Sequence, residues 1–393
     1  MIYIWISENI QIIIESLLDK MTIKIFDVQT GKEKNKKIEE IEFEEKEEDL
    51  KEEHYMLKEI LEQPETIKKA AEQNEQKLLE TAMEILRAKN VIFTACGTAR
   101  YAAIIGRYLF SKIAKKFSEV IMAHEFQYFI DSVDKDTLII AVSQSGETAD
   151  VLEGVKKAKE NGAKIVAITN VENSSLARMS DFVFYLNCGP EIAVASTKAF
   201  TGQLVVLYLL AFATINKIQI CKIKLKNIGK KVEETITKND ETLKKLAIKL
   251  KDKRDFYFIA RGIDFAIASE GALKLKETSY IHAEGMPAGE LKHGTLSLIE
   301  DGTPVVVICP KDYTYEETLN NAQETKVRGA FLIGVSDEEN ELFDSWLRIP
   351  KVEEIFYPLL TVIPLQLLAY YISVARGNNP DKPRNLAKSV TVK

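Results

Sequence analysis

Short apolar runs alternate with longer stretches of helical periodicity along most of this chain. The first clear run, Val91-Ile92-Phe93-Thr94-Ala95, predicts a buried strand that passes through Cys96-Gly97-Thr98 into a helix ending near Ala114. Strand runs at Glu119–Ala123, Thr137–Val142, Lys164–Thr169 and Phe182–Leu186 follow, each separated by a helical pattern. This alternation predicts an α/β fold, a parallel sheet with helices on both faces. Ligands of such sheets bind at the carboxyl ends of the strands, where Thr98 and Ser143 fall. After a lysine-rich helical stretch, Lys217 to Lys253, the pattern restarts. Phe256–Gly262 echoes Val91–Gly97, Pro304–Cys309 echoes Leu138–Ser143, and Ala330–Val335 echoes Lys164–Thr169. The chain thus carries two copies of one α/β unit.

Upstream, Met1 to Lys20 reads as an amphipathic helix, Thr22–Val28 as a strand, Gln29–Lys32 as its turn and Lys37–Phe43 as a returning strand. An acidic run follows, Glu44 to Glu53, and then helical periodicity from His54 to Ala88, with Pro64 opening a fresh helix. The expected partition is an amino-terminal arm (1–53), a first unit with leading helices (54–216), a helical connection (217–253), a second unit (254–375) and a tail (376–393). Two stretches, Ala199–Asn216 and Tyr357–Ala375, carry no charge and approach the length of a membrane span. They occupy equivalent places in the repeat, so both are expected as buried helices, with no membrane partner.

Composition narrows the picture. A formal net charge of −6 argues against a nucleic-acid partner. The four cysteines, Cys96, Cys188, Cys221 and Cys309, form no CxxC pair, which fits a reducing, cytoplasmic setting and supplies no zinc framework. The four histidines are too dispersed for a metal cluster. Residues 1–20 contain Glu8 and Glu15 and no basic leading region, unlike a signal peptide.

The chemistry concentrates in three places. Ser143-Gln144-Ser145-Gly146-Glu147-Thr148 joins a strand to a helix start, where outward N–H groups, the helix dipole and three hydroxyls suit an anion. The alternative is an ordinary N-cap by Ser145. The second copy has Cys309-Pro310-Lys311-Asp312-Tyr313-Thr314 at this place, so the serines are gone and only the first keeps the hydroxyl cradle. Glu270, Lys274 and Glu277 fall on one helix face, either as a surface ion-pair ladder or as a packed polar cluster. His293 lies between glycines in Gly289–Gly294, a context suited to acid–base work. Lys388 sits in a proline-punctuated tail that by itself reads as a frayed end.

Taken together, these stretches resemble the isomerase half of the glutamine–fructose-6-phosphate aminotransferase family, a tandem of sugar isomerase (SIS) domains. The resemblance rests on His54–Pro64, Cys96–Thr98, Ser143–Asp150, Ala195–Phe200, Glu270–Glu284, Gly289–Gly294 and Asp381–Val392, in family order. It implies a sugar phosphate held by Thr98, Ser143, Gln144, Ser145 and Thr148, with Val194 and Ser196 nearby. It further implies that Glu277 moves a proton between C1 and C2, and that His293 opens the sugar ring from a neighbouring subunit, hence a homodimer. Lys388 would condense with the ketose carbonyl, and Lys274 and Arg384 would belong to the same pocket. No metal or organic cofactor is implied. The family's glutaminase uses a cysteine at the processed amino terminus; here residue 2 is Ile2 and no cysteine precedes Cys96. Thr22–Phe43 resembles the closing strands of that glutaminase. The expectation is therefore an aminating isomerase with ammonia from glutamine through a glutaminase not present in this chain; a truncated product, a subunit fed by a separate glutaminase and an ammonia-dependent enzyme all fit. A glucosamine-6-phosphate deaminase of the same family and a non-catalytic sugar-phosphate sensor are the alternatives.

Overall fold

The computed structural model describes residues 2–7, 10–17, 20–27 and 52–391. The first group forms a unit of its own, a three-stranded antiparallel sheet of Ile2–Ser7, Ile10–Leu17 and Lys20–Asp27 in that order. This corrects the helix expected over Met1–Lys20. The segment is dominated by isoleucine, whose branched side chain favours a pleated surface over a helix. The strand expected at Thr22–Val28 matches Lys20–Asp27, pairing Ile14 with Ile23 and Ile12 with Ile25. The returning strand at Lys37–Phe43 and most of the acidic run lie outside the described residues.

The second unit holds two five-stranded parallel sheets of identical order. The first runs Glu119–Met122, Asn90–Ala95, Thr137–Val142, Lys164–Thr169, Phe182–Tyr185. The second runs His282–Pro287, Asp255–Ala260, Pro304–Ile308, Phe331–Ser336, Ser345–Arg348. In each, the first strand of the repeat lies between the second and the third. The chain therefore reverses direction across the sheet there, opening a crevice at the carboxyl ends of those two strands. The edge strands His282–Pro287 and Ser345–Arg348 have no apolar run and escape a pattern-based reading.

Helix Ile218–Leu250 connects the two repeats over 33 residues. The two uncharged stretches form helices Lys198–Ala213 and Pro358–Ala375. All sixteen residues of the first are buried. The segment Glu354–Ala375 is long and apolar enough to cross a membrane, yet 89% of its most apolar window is buried inside the fold. It packs against helices Ile218–Leu250 and Phe265–Ser279. One apolar core runs through both repeats, from Met56 and Phe93 to Phe258 and Ile372. The helices that follow the first strand of each repeat, Gly97–Leu109 and Phe265–Ser279, pack on each other. Gly271 allows the second to approach Leu365, since a Cβ there would lie 2.6 Å from the leucine Cδ1.

Candidate active site

Strand Thr137–Val142 is buried throughout and delivers Ser143 to the carboxyl edge of the first sheet. The loop that follows turns on Gly146, at φ +65°, where a Cβ would sit 2.2 Å from Ser174 Oγ. Only glycine fits both the left-handed backbone and the close approach. The loop orders itself through its hydroxyls. Ser143 Oγ accepts from the Gly146 N–H at 3.1 Å and lies 3.0 Å from Thr148 Oγ1, while Ser145 Oγ accepts from the Glu147 N–H at 3.2 Å. The N-cap of helix Ala149–Glu160 is Thr148, and its side chain makes no capping bond. Ser145 is therefore not the cap.

A cavity of about 310 Å³ opens over this loop. Thr98, Ser143, Gln144, Ser145, Thr148, Val194, Ser196, Glu277 and Lys388 all line it, drawn from both repeats and the tail. Helix Phe265–Ser279 carries Glu277 to the rim and Lys274 beneath it. Lys274 is fully buried, so the cluster is no surface ladder. Its Nζ donates to Thr98 Oγ1 at 2.9 Å and to Glu277 Oε2 at 2.5 Å, and lies 3.4 Å from Glu270 Oε1. Burial opposes its charge, but Glu270 and Glu277 outweigh that and hold the ammonium above its ordinary range. Burial pushes the Glu270 carboxyl up to about 8 despite Lys274. Its Oε2 has no partner among the described residues. Lys274 thus supports Glu277 and Thr98 from below and does not line the cavity.

The tail is pinned along its length. The Asp381 carboxylate accepts the N–H groups of Tyr55 and Met56 at 2.9 and 2.7 Å, and the Asp381 carbonyl accepts from the Val194 N–H at 3.0 Å. Lys388 Nζ donates to Glu191 Oε2 at 2.6 Å and to the Ala193 carbonyl at 2.8 Å. Ser389 Oγ donates to Ser145 Oγ at 3.1 Å, and the Ala149 N–H donates to the Val390 carbonyl at 3.1 Å. These bonds bring Lys388 against the hydroxyl loop. Arg384 lies elsewhere: its guanidinium stacks 4.2 Å over the Tyr280 ring, and its backbone N–H donates to the Tyr280 hydroxyl at 2.9 Å. The planar cation finds an aromatic face there and stays outside the cavity lining. His293 ends the short 3₁₀ segment Ala288–His293, is exposed and also lies outside the lining.

Three participants escaped the sequence reading. Glu191 anchors Lys388 from a loop, and a single glutamate after Gly189-Pro190 carries no local signal. Glu59 stands behind it, accepting the N–H groups of Ile192 and Ala193. Gln203 lines the cavity from helix Lys198–Ala213. A lone amide inside an otherwise apolar run is the clue that could have found it.

The family model of the SIS domain matches residues 84–213 and 249–376. A glutamine–fructose-6-phosphate aminotransferase (isomerizing) of Thermococcus kodakarensis is 49% identical over 355 residues, covering 86% of this chain and 58% of the relative. That of Pyrococcus horikoshii is 45% identical, covering 95% and 63%. The chain therefore spans about three-fifths of the length of these curated relatives. Among solved structures, the C-terminal domain of glucosamine-fructose-6-phosphate aminotransferase from Francisella tularensis superposes with a TM-score of 0.78 at 38% identity. The match covers 85% of this chain and 99% of that one. Glucosamine-6-phosphate deaminase from Thermotoga maritima gives 0.70 at 26% identity, covering 86% and 99%. The chain belongs to the SIS-domain family, with two SIS domains in tandem, and is similar over most of its length to the C-terminal domain of a glucosamine-fructose-6-phosphate aminotransferase.

Proposed function

We propose that the two SIS domains form an aminating isomerase that converts fructose 6-phosphate and ammonia into glucosamine 6-phosphate. The observation that carries this is the convergence of a hydroxyl-lined helix start, Glu277 and Lys388 on one cavity. Thr98, Ser143, Gln144, Ser145 and Thr148 would hold the phosphate, whose binding energy is remote from the reacting carbons. Lys388 would form an imine with the ketose carbonyl, and Glu277 would carry one proton between the adjacent carbons. Val194 and Ser196 border the sugar in this reading, and Lys274 holds Glu277 in place. The chemistry asks for no metal or organic cofactor. Ammonia would come from glutamine through a glutaminase outside the SIS domains, with Thr22–Phe43 related to the closing strands of that fold. The setting would be cytoplasmic.

His293 supports a homodimer. Its exposure outside the cavity suits a ring-opening acid–base group that acts on the site of a second copy. His293→Ala and Lys388→Ala should each lose turnover, and verified mixed dimers should regain part of it. Failure of such mixed dimers to recover would remove the shared site.

The direct test incubates the chain with fructose 6-phosphate and ammonium, then with glutamine, and assays glucosamine 6-phosphate. Product with ammonium supports amination. No product, together with ammonia released from glucosamine 6-phosphate, would move the reading to the deaminase, which the likeness to the Thermotoga enzyme favours. Binding without turnover in either direction would leave a sugar-phosphate sensor.

A further inference from the structure

The Lys388 amine is tied into a buried ionic cluster. The Glu191 side chain that receives it has no exposed surface. Glu191 Oε1 accepts the backbone N–H groups of Thr197 and Ala199 at 2.9 Å each, and Oε2 also accepts the Ser196 hydroxyl at 2.9 Å. One carboxylate therefore orients two groups that line the cavity, Lys388 and Ser196. An ammonium held this way has no lone pair to offer a carbonyl. We propose that Glu191 is the positioning residue for Lys388: it holds Nζ at hydrogen-bond distance beside the hydroxyl loop and takes the proton that the amine must shed before it attacks a ketose. The ketose is taken from the function proposed above; the pairing of the two side chains does not depend on it.

The step balances. One Nζ–H bond breaks and an O–H bond forms on Glu191. The freed lone pair makes the C–N bond as the carbonyl π pair moves to oxygen. That oxygen leaves as water with the two protons remaining on nitrogen, and the proton on Glu191 returns to the imine nitrogen. The surroundings favour the transfer once substrate covers the cavity. Burial pushes Glu191 up, but the Lys388 ammonium, with the N–H groups of Ala199 and Thr197, outweighs it and holds the carboxyl low. As the proton crosses, the lysine charge that does most of this holding disappears. Glu59, which bonds no cation among the described residues, is pushed up to about 8 by burial and by Glu191. A buried ion pair that loses its residual water gives way readily to a neutral pair. The other ionisable groups facing this cluster are Cys188, Lys198, which is bonded to Glu62 at 2.5 Å, and Lys274.

The test labels the full chain with trace acetic anhydride at one fixed pH and follows the rate of Lys388 acetylation by mass spectrometry. It compares the native chain with Glu191→Gln and Glu191→Asp. No substrate is needed. With Oε2 no longer holding Nζ at 2.6 Å, Glu191→Gln should label several-fold faster at Lys388. Equal rates in the native chain and Glu191→Gln would overturn the proposal. Should Glu191→Gln not fold, Glu191→Asp decides: withdrawing the carboxylate from Nζ should raise the rate by a smaller factor, and no change overturns the proposal. A second arm traps the imine with borohydride and fructose 6-phosphate. Trapping should fall by about tenfold or more in Glu191→Gln and be partly rescued in Glu191→Asp, so labelling and trapping move in opposite directions, whereas a purely structural role would lower both. Faster labelling of Glu191→Gln without any trapped adduct in the native chain would support the Glu191–Lys388 pairing and count against the ketose as substrate.

Discussion

Single residues record how the two repeats parted. In the first, the crevice between the first and third strands of the repeat is lined by hydroxyls. In the second, the same place holds Asp264 and Asp312. Asp264 is buried, accepts the Thr361 hydroxyl at 2.8 Å through Oδ1, and has no partner for Oδ2 among the described residues. Burial, followed by the neighbouring Asp312, pushes its carboxyl up to about 8. The unfolded chain releases this proton near pH 4, whereas the folded chain keeps it to about pH 8. The folded state binds more protons over that window, so this group subtracts stability progressively as pH rises from about 4 to about 8. Asp264→Asn keeps the shape and removes the titration. Its stability relative to the native chain should rise by about 1–3 kcal/mol between pH 5 and pH 8, read from urea midpoints. A difference that stays constant with pH would refute this assignment.

Elements carry the site because helix Phe265–Ser279 serves two masters. Its apolar face packs into the shared core, and its polar face supplies Glu277 to a cavity built mainly by the other repeat, with Glu270 and Lys274 buried beneath. Lys274→Ala would strand Glu270 and Glu277 without their cation, at a cost of about 3–5 kcal/mol in urea unfolding. Replacing the fully buried pair together, Glu270→Gln with Lys274→Met, should recover most of that loss, and a double variant no better than the single one would disprove the coupling. Most of this architecture was legible in advance. Strand runs of β-branched residues such as Leu138–Val142 announce themselves by apolar density, and the repeat exposes both sheets at once. Edge strands with glutamate and glycine, such as His282–Pro287, do not. The isoleucine-rich start misled because its apolar spacing suits a helix while its side-chain branching suits a strand. Of the candidate residues, those of the hydroxyl loop met Thr98, Glu277 and Lys388 at the cavity, whereas Lys274, Arg384 and His293, although inside equally contiguous motifs, lie outside its lining. Glu191 and Glu59 stayed hidden because their roles come from tertiary neighbours more than a hundred residues away.

At the scale of the molecule, the two SIS domains are not separable bodies. Tyr208 of the first stacks on Phe356 of the second at 4.9 Å, and its hydroxyl donates to the Ile355 carbonyl. Gln63 donates to Gln366 at 2.7 Å inside the same core. A chain cut to residues 54–216 would bare helix Lys198–Ala213, whose every face is apolar. It should bind a hydrophobic dye and lack near-ultraviolet dichroism, and a well-packed monomer would argue against a shared core. The way the halves meet carries a further implication. Helices Gly97–Leu109 and Phe265–Ser279 are counterparts in the repeat that touch each other, as one helix meets its own copy in an isologous contact between identical partners. Two identical partners must carry every residue twice, so whatever one crevice binds the other binds too. Fusion into one polypeptide breaks that symmetry. One crevice is then free to keep its hydroxyls while the facing helix gives up its own ligand and evolves acids and a lysine aimed across the seam. Under the function proposed above, the asymmetry between Ser143–Thr148 and Cys309–Thr314 is what would let a binding half and a reacting half share a single site.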